Sequence, residues 1–348
     1  MDEVGRMLAS DRAELFAAAG RRRGFSATII EKDFWVCWTL QRLFTLVDPP
    51  AGLIFKGGTS LSKVFNVIER FSEDVDLSFN RQDLGFGGDA DPAVATTKKK
   101  QQTQVDNLVA ACTAMIRDEL VPRLTESVTA ALGAPPGELW RLELDPDDKD
   151  LQTVLFHYPA SGDRVAETEA AYLRPFIRLE MGARGEHWPS LDAEVRSYAA
   201  EVFPEQFKSP SCAVKVVTAE RTFWEKATIL HMWYHADSER HLRDRQSRHY
   251  YDVVKLYQSG IGSKALADME LLKDVARHKS IFFARAWVRF DEAVPGTLRL
   301  VPPDWRIPEL EKDYAKMREE MIFGDAPSID EILAALTEIE QRVNNQGS

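Results

Sequence analysis

The sequence has few of the features that mark membrane, secreted and metal-cluster proteins. Its 348 residues contain no stretch close to the roughly 18 consecutive apolar residues of a membrane span. The first residues, MDEVGRMLASDRAELF, lack the basic and then apolar layout of a signal peptide. Three cysteines occur, Cys37, Cys112 and Cys212, far apart and without the spacing of a metal site. We therefore expect a cytoplasmic protein with buried, reduced thiols and no membrane segment.

Positive charge is also scarce, since 44 Lys and Arg stand against 55 Asp and Glu, a formal net charge of −11. This balance argues against a protein that coats nucleic acid without specificity, although it permits a local basic patch. Basic runs occur at 21–23, 98–100 and 240–248. Each run alone is more typical of a solvated surface, so its importance depends on how near it lies to a site.

A chain of this length is expected to form two domains, or one domain with a large helical extension. Apolar periodicity predicts helices over 11–23 and 28–46, and a long helix over 98–132 that Pro122 interrupts. Short strands are predicted at 53–55, 74–79, 139–144, 151–158, 173–181 and 213–217. The remaining pattern is mostly helical, so we expect a mixed α/β half and a helical half that divide near 210–218.

The stretch FKGGTSLSKVFNVIERFSEDVDLSF, residues 55–79, combines a glycine turn, a helical pattern and an acidic strand. Its apolar stripe over 61–68 predicts a helix that begins at Gly57 and Gly58. Glycines let a phosphate approach the backbone, and a helix N-terminus offers unpaired N–H donors. This is not a Walker A loop, because Ser62 rather than a glycine precedes Lys63. The alternative is an ordinary solvated turn.

Two aspartates on the predicted strand point in the same direction. Side chains alternate along a strand, so Asp74, Asp76 and Ser78 share one face. Carboxylates at i and i+2 repel each other unless a cation lies between them, and hard oxygen ligands suit Mg²⁺ or Mn²⁺. Such a pair alone is more typical of a solvated strand face, but the preceding glycine–helix unit favours a metal site that also binds substrate phosphates.

Glu180 is a candidate for a third metal ligand. It alternates with Leu179 and Met181 on another predicted strand, so it could complete a three-carboxylate cluster beside Asp74 and Asp76. A salt bridge to Arg178 on an edge strand is an equally open alternative.

The order of these motifs resembles a known superfamily. A glycine pair, a helix, Asp-x-Asp and a later acidic strand look like the DNA polymerase β-type nucleotidyltransferases. More narrowly, KGGTSLSKVF…RFSEDVDLSF is similar to the AbiEii/AbiGii toxin family of abortive-infection and related toxin–antitoxin pairs. The segments IEKDFWV, TAERTFWEKATILH, SRHYYDVVKL and LEKDYAKMREEMIFGDAPSIDEIL resemble further parts of that family, in the expected order. One departure from the superfamily is the long run of 16 positions from Gly58 to Asp74 (74 − 58), which the family accommodates.

The resemblance implies an α+β protein. A polymerase β-like nucleotidyltransferase core, a small mixed sheet with helices, would span 1–212 with a helical insertion near 98–132. A mainly helical C-terminal domain over 213–348 would complete the active site. The implied reaction uses Mg²⁺ or Mn²⁺ and moves a nucleotide from an NTP to an RNA hydroxyl, with a tRNA 3′ end as the leading acceptor. The implied role is growth arrest, held in check by a cognate antitoxin.

The resemblance also implies site residues. The metal ligands would be Asp74 and Asp76, with Glu180 as the candidate third. The implied nucleotide-binding residues are Gly57, Gly58, Thr59, Ser60, Lys63, Ser72, Arg178 and Lys226. The implied catalytic residues are Asp74, Asp76, Lys226 and Asp252.

Lys226 is unusual on physical grounds, because three of its helical neighbours are apolar. It should be partly desolvated unless it has an anionic partner or snorkels to solvent. The family resemblance favours a phosphate ligand. Asp252 would assist the nucleophile or orient Lys226, and the plain alternative is a salt bridge to Arg248 or Lys255.

If Asp252 lies near the metal, the basic segment before it lies near the mouth of the site, where a phosphate-rich acceptor would bind. The candidate RNA-binding residues there are Arg240, Arg243, Arg245 and Arg248. A protein or small-molecule acceptor, a non-catalytic nucleotide-binding toxin and a phosphodiesterase are alternative functions. Two apparent metal motifs are set aside: His231 and His235 lack the glutamate of H-E-x-x-H, and DPDDKD lacks the glycine and final glutamate of a calcium loop.

Overall fold

The computed structural model describes residues 1–72, 74–137, 139–161 and 174–347, and its chain divides into two compact units. Unit 1 comprises Met1–Val64, Ser72–Asp91 and Thr103–Val216. Unit 2 comprises Phe65–Phe71, Pro92–Gln102 and Val217–Ser348. The sequence-based division between 212 and 213 did not anticipate that two short earlier segments group with the C-terminal unit.

One mixed sheet forms the centre of unit 1. Its strands, in chain order, are β1 Leu53–Lys56, β2 Asp74–Phe79, β3 Arg141–Leu144, β4 Thr153–His157, β5 Ile177–Glu180, β6 Ser190–Arg196 and β7 Ser211–Val217. Their order across the sheet is β3-β4-β5-β2-β1-β7-β6. The pairs β1–β2, β3–β4 and β4–β5 are antiparallel, whereas β2–β5 and β1–β7 are parallel.

All six predicted strands appear: β2 has the predicted bounds, β1 and β7 are slightly longer than predicted, and β3, β4 and β5 are shorter. The predicted start of one strand, Leu173, lies outside the described residues. β6 was not predicted, because its sequence SLDAEVR is mostly polar and exposed, as suits a strand at the edge of a sheet. Together with the helices of unit 2, the mixed sheet confirms the α+β class.

The helices that begin in unit 1 or cross its boundary are α1 Asp2–Gly5, α2 Ala9–Arg23, α3 Ala27–Phe44, α4 Gly57–Lys63, α5 Lys98–Met115, α6 Val121–Leu132 and α7 Tyr198–Val202. Ser26 caps α3, because its hydroxyl accepts the N–H of Ile29 at 3.3 Å. A π-helical turn at Ile116–Leu120 separates α5 from α6, and Pro122 lies in the first turn of α6. The predicted interruption of this long helix is confirmed.

The helices of unit 2 are α8 Ala219–His235, α9 Ser247–Gln258, α10 Ile261–Leu266, α11 Met269–Phe282, α12 Ile307–Glu320 and α13 Ile329–Asn344. Thr218 caps α8 and Ser328 caps α13 with a complete capping box. Across the ranges that the structure describes, we find no helix with the combined length and apolar character to traverse a bilayer.

The helix after the glycines is shorter than the apolar stripe predicted. α4 ends at Lys63, and Asn66 has a left-handed φ of 52°. In unit 2, the Phe71 N–H donates to Met321 at 2.8 Å and the Phe323 N–H donates to Glu69 at 2.9 Å. These strand-like backbone hydrogen bonds replace the helical ones, so Ile68 and Phe71 are buried without continuing the helix.

The core of unit 1 contains aromatic rings of α3 that stack on rings of β4 and of the residue that follows it. The Trp35 ring stacks on Tyr158 with centroids 5.5 Å apart, and the Trp38 ring stacks on Phe156 at 5.7 Å. Phe34 is also fully buried. These α3 aromatics therefore serve core packing.

Candidate active site

Asp74 and Asp76 lie on β2, between β1 and β5. Asp74 is opposite Arg178 on β5, and Asp76 is opposite Glu180. On its other side, Asp76 is opposite Lys56 of β1. Opposite residues of neighbouring strands share a face, and so do residues i and i+2. These five side chains therefore share one surface of the sheet, which we call the acidic face.

Gly57 leaves the space that the Asp76 side chain occupies. Its φ is +77°, a left-handed value that favours glycine. A Cβ atom placed on Gly57 would lie 1.9 Å from Oδ2 and 2.5 Å from Cγ of Asp76. The glycine is thus required both by the backbone turn and by direct contact with the carboxylate.

The hydroxyl groups that follow the glycines make hydrogen bonds within unit 1. Thr59 donates toward the Ser72 carbonyl and hydroxyl, at 3.2 and 3.0 Å, and toward the Asp74 carbonyl. Ser60 donates to the Gly57 carbonyl at 2.8 Å. Thr59, Ser60 and Gly58 are buried. Thr59 and Ser72 therefore fasten α4 to the start of β2 and fix the direction of Asp74.

Lys63 has an internal counter-ion. Its Nζ lies 2.7 Å from Oδ1 of Asp33, and both side chains are 4% exposed. The same Nζ lies 3.8 Å from the centre of the Tyr198 ring, and Asp33 also accepts the Tyr198 N–H at 2.6 Å. Burial disfavours the charged lysine, but the Asp33 carboxylate outweighs it and raises the pKa of Lys63. The charge of Lys63 is thus matched within the protein by Asp33. This internal ion pair favours a positioning role for Lys63 over phosphate binding.

Arg178 and Glu180 form an ion pair on the acidic face. Nε of Arg178 lies 3.0 Å from Oε1 of Glu180, and Nη1 lies 2.6 Å from Oδ2 of Asp145. Burial would lower the pKa of Arg178, but Glu180, Asp145 and Asp74 outweigh it and raise that pKa. β5 lies inside the sheet, so the expected placement of this pair on an edge strand is wrong, whereas the pair itself is confirmed.

The acidic face suits a divalent cation in charge and donor chemistry. It carries three carboxylates and two cationic groups, with the buried Asp145 beside them, so negative charge is in excess. The donors are hard carboxylate oxygens, and one of them belongs to Asp76, whose side chain lies against Gly57. Across the described ranges, however, no three His, Cys, Asp or Glu side chains are already arranged to hold a metal ion. Asp74 and Asp76 fit as ligands, while the Glu180 carboxylate is directed toward Arg178.

Lys226 and Asp252 contact each other within unit 2. Nζ of Lys226 lies 2.7 Å from Oδ2 of Asp252. Arg70 donates from Nε to Oδ1 of Asp252 at 2.8 Å and from Nη2 to Oδ2 at 2.7 Å. None of the three side chains is more than 7% exposed. Lys226 therefore does not snorkel to solvent, and Lys255 pairs with Glu69 instead of Asp252.

We call Arg70, Lys226 and Asp252 the cationic cluster, because two cationic side chains contact the carboxylate of Asp252. Burial would raise the pKa of Asp252, but Arg70 and Lys226 outweigh burial and lower it. Burial lowers the pKa of Lys226, and the attraction of Asp252 counteracts this. Burial, with Lys226 and Arg248 nearby, lowers the pKa of His249 well below 6.5, so its imidazole is neutral near pH 7.

The basic segment 240–248 is fastened to α12 of unit 2. Asp313 accepts the N–H groups of Arg245 and Ser247, each at 2.7 Å. The Arg240 guanidinium lies 4.3 Å from the centre of the Trp287 ring, and Arg243 is exposed. Arg248 lies near enough to Lys226 to contribute to lowering its pKa. The segment therefore presents its arginines from a fixed backbone.

The two motifs set aside as metal sites have structural roles. His231 accepts the Arg299 N–H at Nδ1, 3.1 Å away, and its Nε2 lies 3.0 Å from the Arg289 carbonyl, so both ring nitrogens are engaged. Asp148 accepts the N–H groups of Gln152 and Thr153, which closes the turn between β3 and β4.

Sequence reasoning missed several charged residues that pair with the candidate site residues: Lys56, Asp33, Asp145 and Arg70. Arg70 precedes the buried Phe71, and Asp33 precedes the buried Phe34 on an apolar helix. A charged residue in such a context needs a buried partner, which is the signal that could have found both.

Comparison with known proteins agrees with the sequence resemblance. The family model for the nucleotidyl transferase AbiEii toxin of type IV toxin–antitoxin systems matches residues 38–335. The chain belongs to the AbiEii family. It is accordingly a nucleotidyltransferase toxin of a type IV toxin–antitoxin system, and the resemblance stated from its motifs is confirmed.

A solved structure similar to this AbiEii-family protein is MenT4, a nucleotidyltransferase toxin from Mycobacterium tuberculosis. The two chains are 15% identical, with a TM-score of 0.41 over 95% of this chain and 97% of MenT4. No curated protein matches the chain significantly.

Proposed function

We propose that this AbiEii-family toxin transfers a nucleoside monophosphate from an NTP to an RNA hydroxyl, with a tRNA 3′ end as the leading acceptor. The observation that carries the proposal is the acidic face, where Asp74 and Asp76 lie beside Gly57 with negative charge in excess. Growth arrest, relief by a cognate antitoxin and a cytoplasmic location, where NTP and RNA are available, belong to the same proposal.

Asp74 and Asp76 would hold Mg²⁺ or Mn²⁺ through carboxylate oxygens. When bound, the metal neutralises phosphate charge and lowers the pKa of the acceptor hydroxyl. Gly57 keeps the space in which the Asp76 carboxylate lies, and Thr59 with Ser72 holds the backbone of Asp74. Backbone N–H groups over 57–60 remain the proposed donors to the NTP phosphates, with Gly58 and Ser60 in that turn.

Lys226 would bind an anionic group, for which a phosphate is the natural candidate. Its support is the position of Lys226, whose ammonium group Asp252 holds close to Arg70 within a buried environment. Two cationic groups that are fixed side by side attract an anion more strongly than one mobile charge does, and a low local dielectric strengthens that attraction. An anionic ligand would therefore bind there more favourably than at an exposed lysine.

The direct test incubates the protein with labelled NTPs, Mg²⁺ and total RNA. We expect labelled RNA, a loss of labelling on the order of 100-fold or more in Asp76→Asn, and no loss in the control Asp192→Asn. Asp192 is an exposed residue of the edge strand β6, so it controls for removal of one carboxylate from the sheet. No labelled RNA, combined with an Asp76→Asn variant as toxic as the wild type, would rule out the proposed reaction.

The nature of the acceptor is tested through the basic segment. Arg243→Gln and Arg245→Gln should each weaken RNA binding and lower the slope of log affinity against log salt by roughly 1. Arg277→Gln, on the exposed surface of α11 in the same unit, is the matched control. Labelling of a protein or a small molecule in place of RNA would assign another acceptor, and RNA shortening would indicate a phosphodiesterase.

A further inference from the structure

Arg178 holds the carboxylate of Glu180 and is itself anchored at its far end. Its Nε contacts Glu180 at 3.0 Å while its Nη1 contacts Asp145 at 2.6 Å. The Asp145 side chain is 4% exposed, and its Oδ1 accepts the N–H of Asp147 at 2.9 Å. The guanidinium therefore bridges one fixed, buried carboxylate and one half-exposed carboxylate.

The same tripeptide, Arg-Leu-Glu, occurs on β3, which allows a comparison within one sheet. Arg141 pairs with Glu143 at 3.3 Å, so an Arg–Glu pair at i and i+2 is by itself an ordinary local contact. β3 is an edge strand, and the second partner of Glu143 is His157 at 2.7 Å. The pair on β5 differs because Arg178 lies opposite Asp74 and is anchored by Asp145.

We propose that Arg178 is a positioning residue that withholds Glu180 from the metal site until a divalent cation binds Asp74 and Asp76. This inference rests on the proposed metal-dependent function. A cation placed between Asp74, Asp76 and Glu180 attracts the Glu180 carboxylate and so competes with the guanidinium for it. The same cation repels the positively charged guanidinium. Asp145 then retains Arg178 by its other end, so Glu180 can rotate toward the metal without leaving a buried charge unpaired.

The arrangement lowers the affinity for metal, because an ion pair must open before the third carboxylate can bind. Arg178 is 35% exposed and Glu180 42% exposed, so the pair is partly screened by solvent. Its loss should change metal affinity by roughly two- to fivefold, the effect of a partly exposed ion pair. Removal of Arg178 should therefore tighten metal binding, although it removes a contact from the folded protein.

The test measures Mn²⁺ affinity of the full chain by electron paramagnetic resonance, in the wild type, Arg178→Gln, Glu180→Gln and the double variant. We expect Arg178→Gln to bind Mn²⁺ roughly two- to fivefold more tightly and the double variant to match Glu180→Gln. Arg178→Lys, which cannot bridge both carboxylates at once, should bind with intermediate affinity and serves if Arg178→Gln does not fold. Arg141→Gln removes the matching positive charge on β3 and should leave the affinity unchanged.

Three outcomes contradict the proposal in distinguishable ways. Unchanged or weaker Mn²⁺ binding in Arg178→Gln overturns the withholding role while leaving the metal site in place. A gain that persists in the Glu180→Gln background is a general charge effect and also overturns it. Wild-type protein that binds no Mn²⁺, or binds it equally well after Asp76→Asn, removes the proposed metal site and this inference together.

Discussion

Replacement of Gly57 by alanine tests whether the position of the Asp76 carboxylate is what the glycine provides. Gly24, which ends α2, provides a comparison that separates the cost of backbone strain from the cost of overlap with Asp76. The two glycines have φ values of +77° and +74°, so alanine at either position costs roughly 1–2 kcal/mol of backbone strain. A Cβ on Gly24 would meet nothing within 4 Å, whereas a Cβ on Gly57 would overlap Asp76.

The size of the overlap determines the expected result. The added Cβ would lie 1.9 Å from Oδ2, 2.5 Å from Cγ and 2.8 Å from Cβ of Asp76. Rotation of the carboxylate cannot clear the last contact, because the Cβ of Asp76 moves only with its backbone. We expect Gly57→Ala to cost roughly 1–3 kcal/mol more than Gly24→Ala, as overpacked positions do. Since displacement of a positioned group by about 1 Å can cost about 100-fold in rate, transfer activity should fall by that order.

Urea unfolding and transfer of label from NTP to RNA measure the two effects on each variant. Gly24→Ala should lose stability but retain activity under conditions in which it is folded. If Gly57→Ala matches Gly24→Ala in stability, activity and Mn²⁺ affinity, the close approach of Gly57 and Asp76 has no functional consequence. The reasoning that connects the glycine turn to the metal site would then be wrong.

Further predictions concern the buried charges. Asp252→Asn should destabilise the protein by roughly 3–5 kcal/mol in urea unfolding, because it removes the buried carboxylate that both Arg70 and Lys226 contact. A change below about 1 kcal/mol would show that these contacts contribute little to stability. Lys63→Met should lower the unfolding free energy by a similar amount. Combining it with Asp33→Asn should recover most of the stability and of the transfer activity. If stability is restored but activity is still lost, Lys63 would be assigned to phosphate binding. Burial lowers the pKa of His231 to about 4, so the unfolded chain binds the extra proton first as pH falls. The unfolding free energy should therefore drop by up to roughly 3 kcal/mol between pH 6.5 and pH 4, and His231→Asn should remove most of that slope in chemical denaturation measured across this range.

The features that sequence patterns predicted are those set by local chemistry. The alternation in DVDLSF predicted that Asp74 and Asp76 share a face, and the register with β5 confirms that Glu180 lies on a neighbouring strand. Alternation is a property of any strand, so it needs no knowledge of distant residues. The turn at Gly57 was also predicted from local sequence, namely a glycine pair before a helical stripe. The contact that requires this glycine comes from Asp76, which lies further along the chain.

The features that sequence patterns missed depend on residues far apart in the chain. Asp252 and Arg70 are 182 positions apart, and Lys63 and Asp33 are 30 positions apart. The length of α4 was mispredicted because residues 69 and 71 make backbone hydrogen bonds with 321 and 323. Helical periodicity describes a local preference, and tertiary backbone pairing at this position overrides it.

The long-range partners of Asp252 bear on the roles that the sequence left open for it. A general base needs a pKa near the working pH and an oxygen that can reach the acceptor hydroxyl. Both oxygens of Asp252 are engaged by Arg70, one of them also by Lys226, and the side chain is fully buried. The same cations lower its pKa, so the carboxylate does not take up a proton near pH 7. We infer that Asp252 fixes the position and charge of Lys226, which makes Lys226 the member of the cluster that can meet a phosphate.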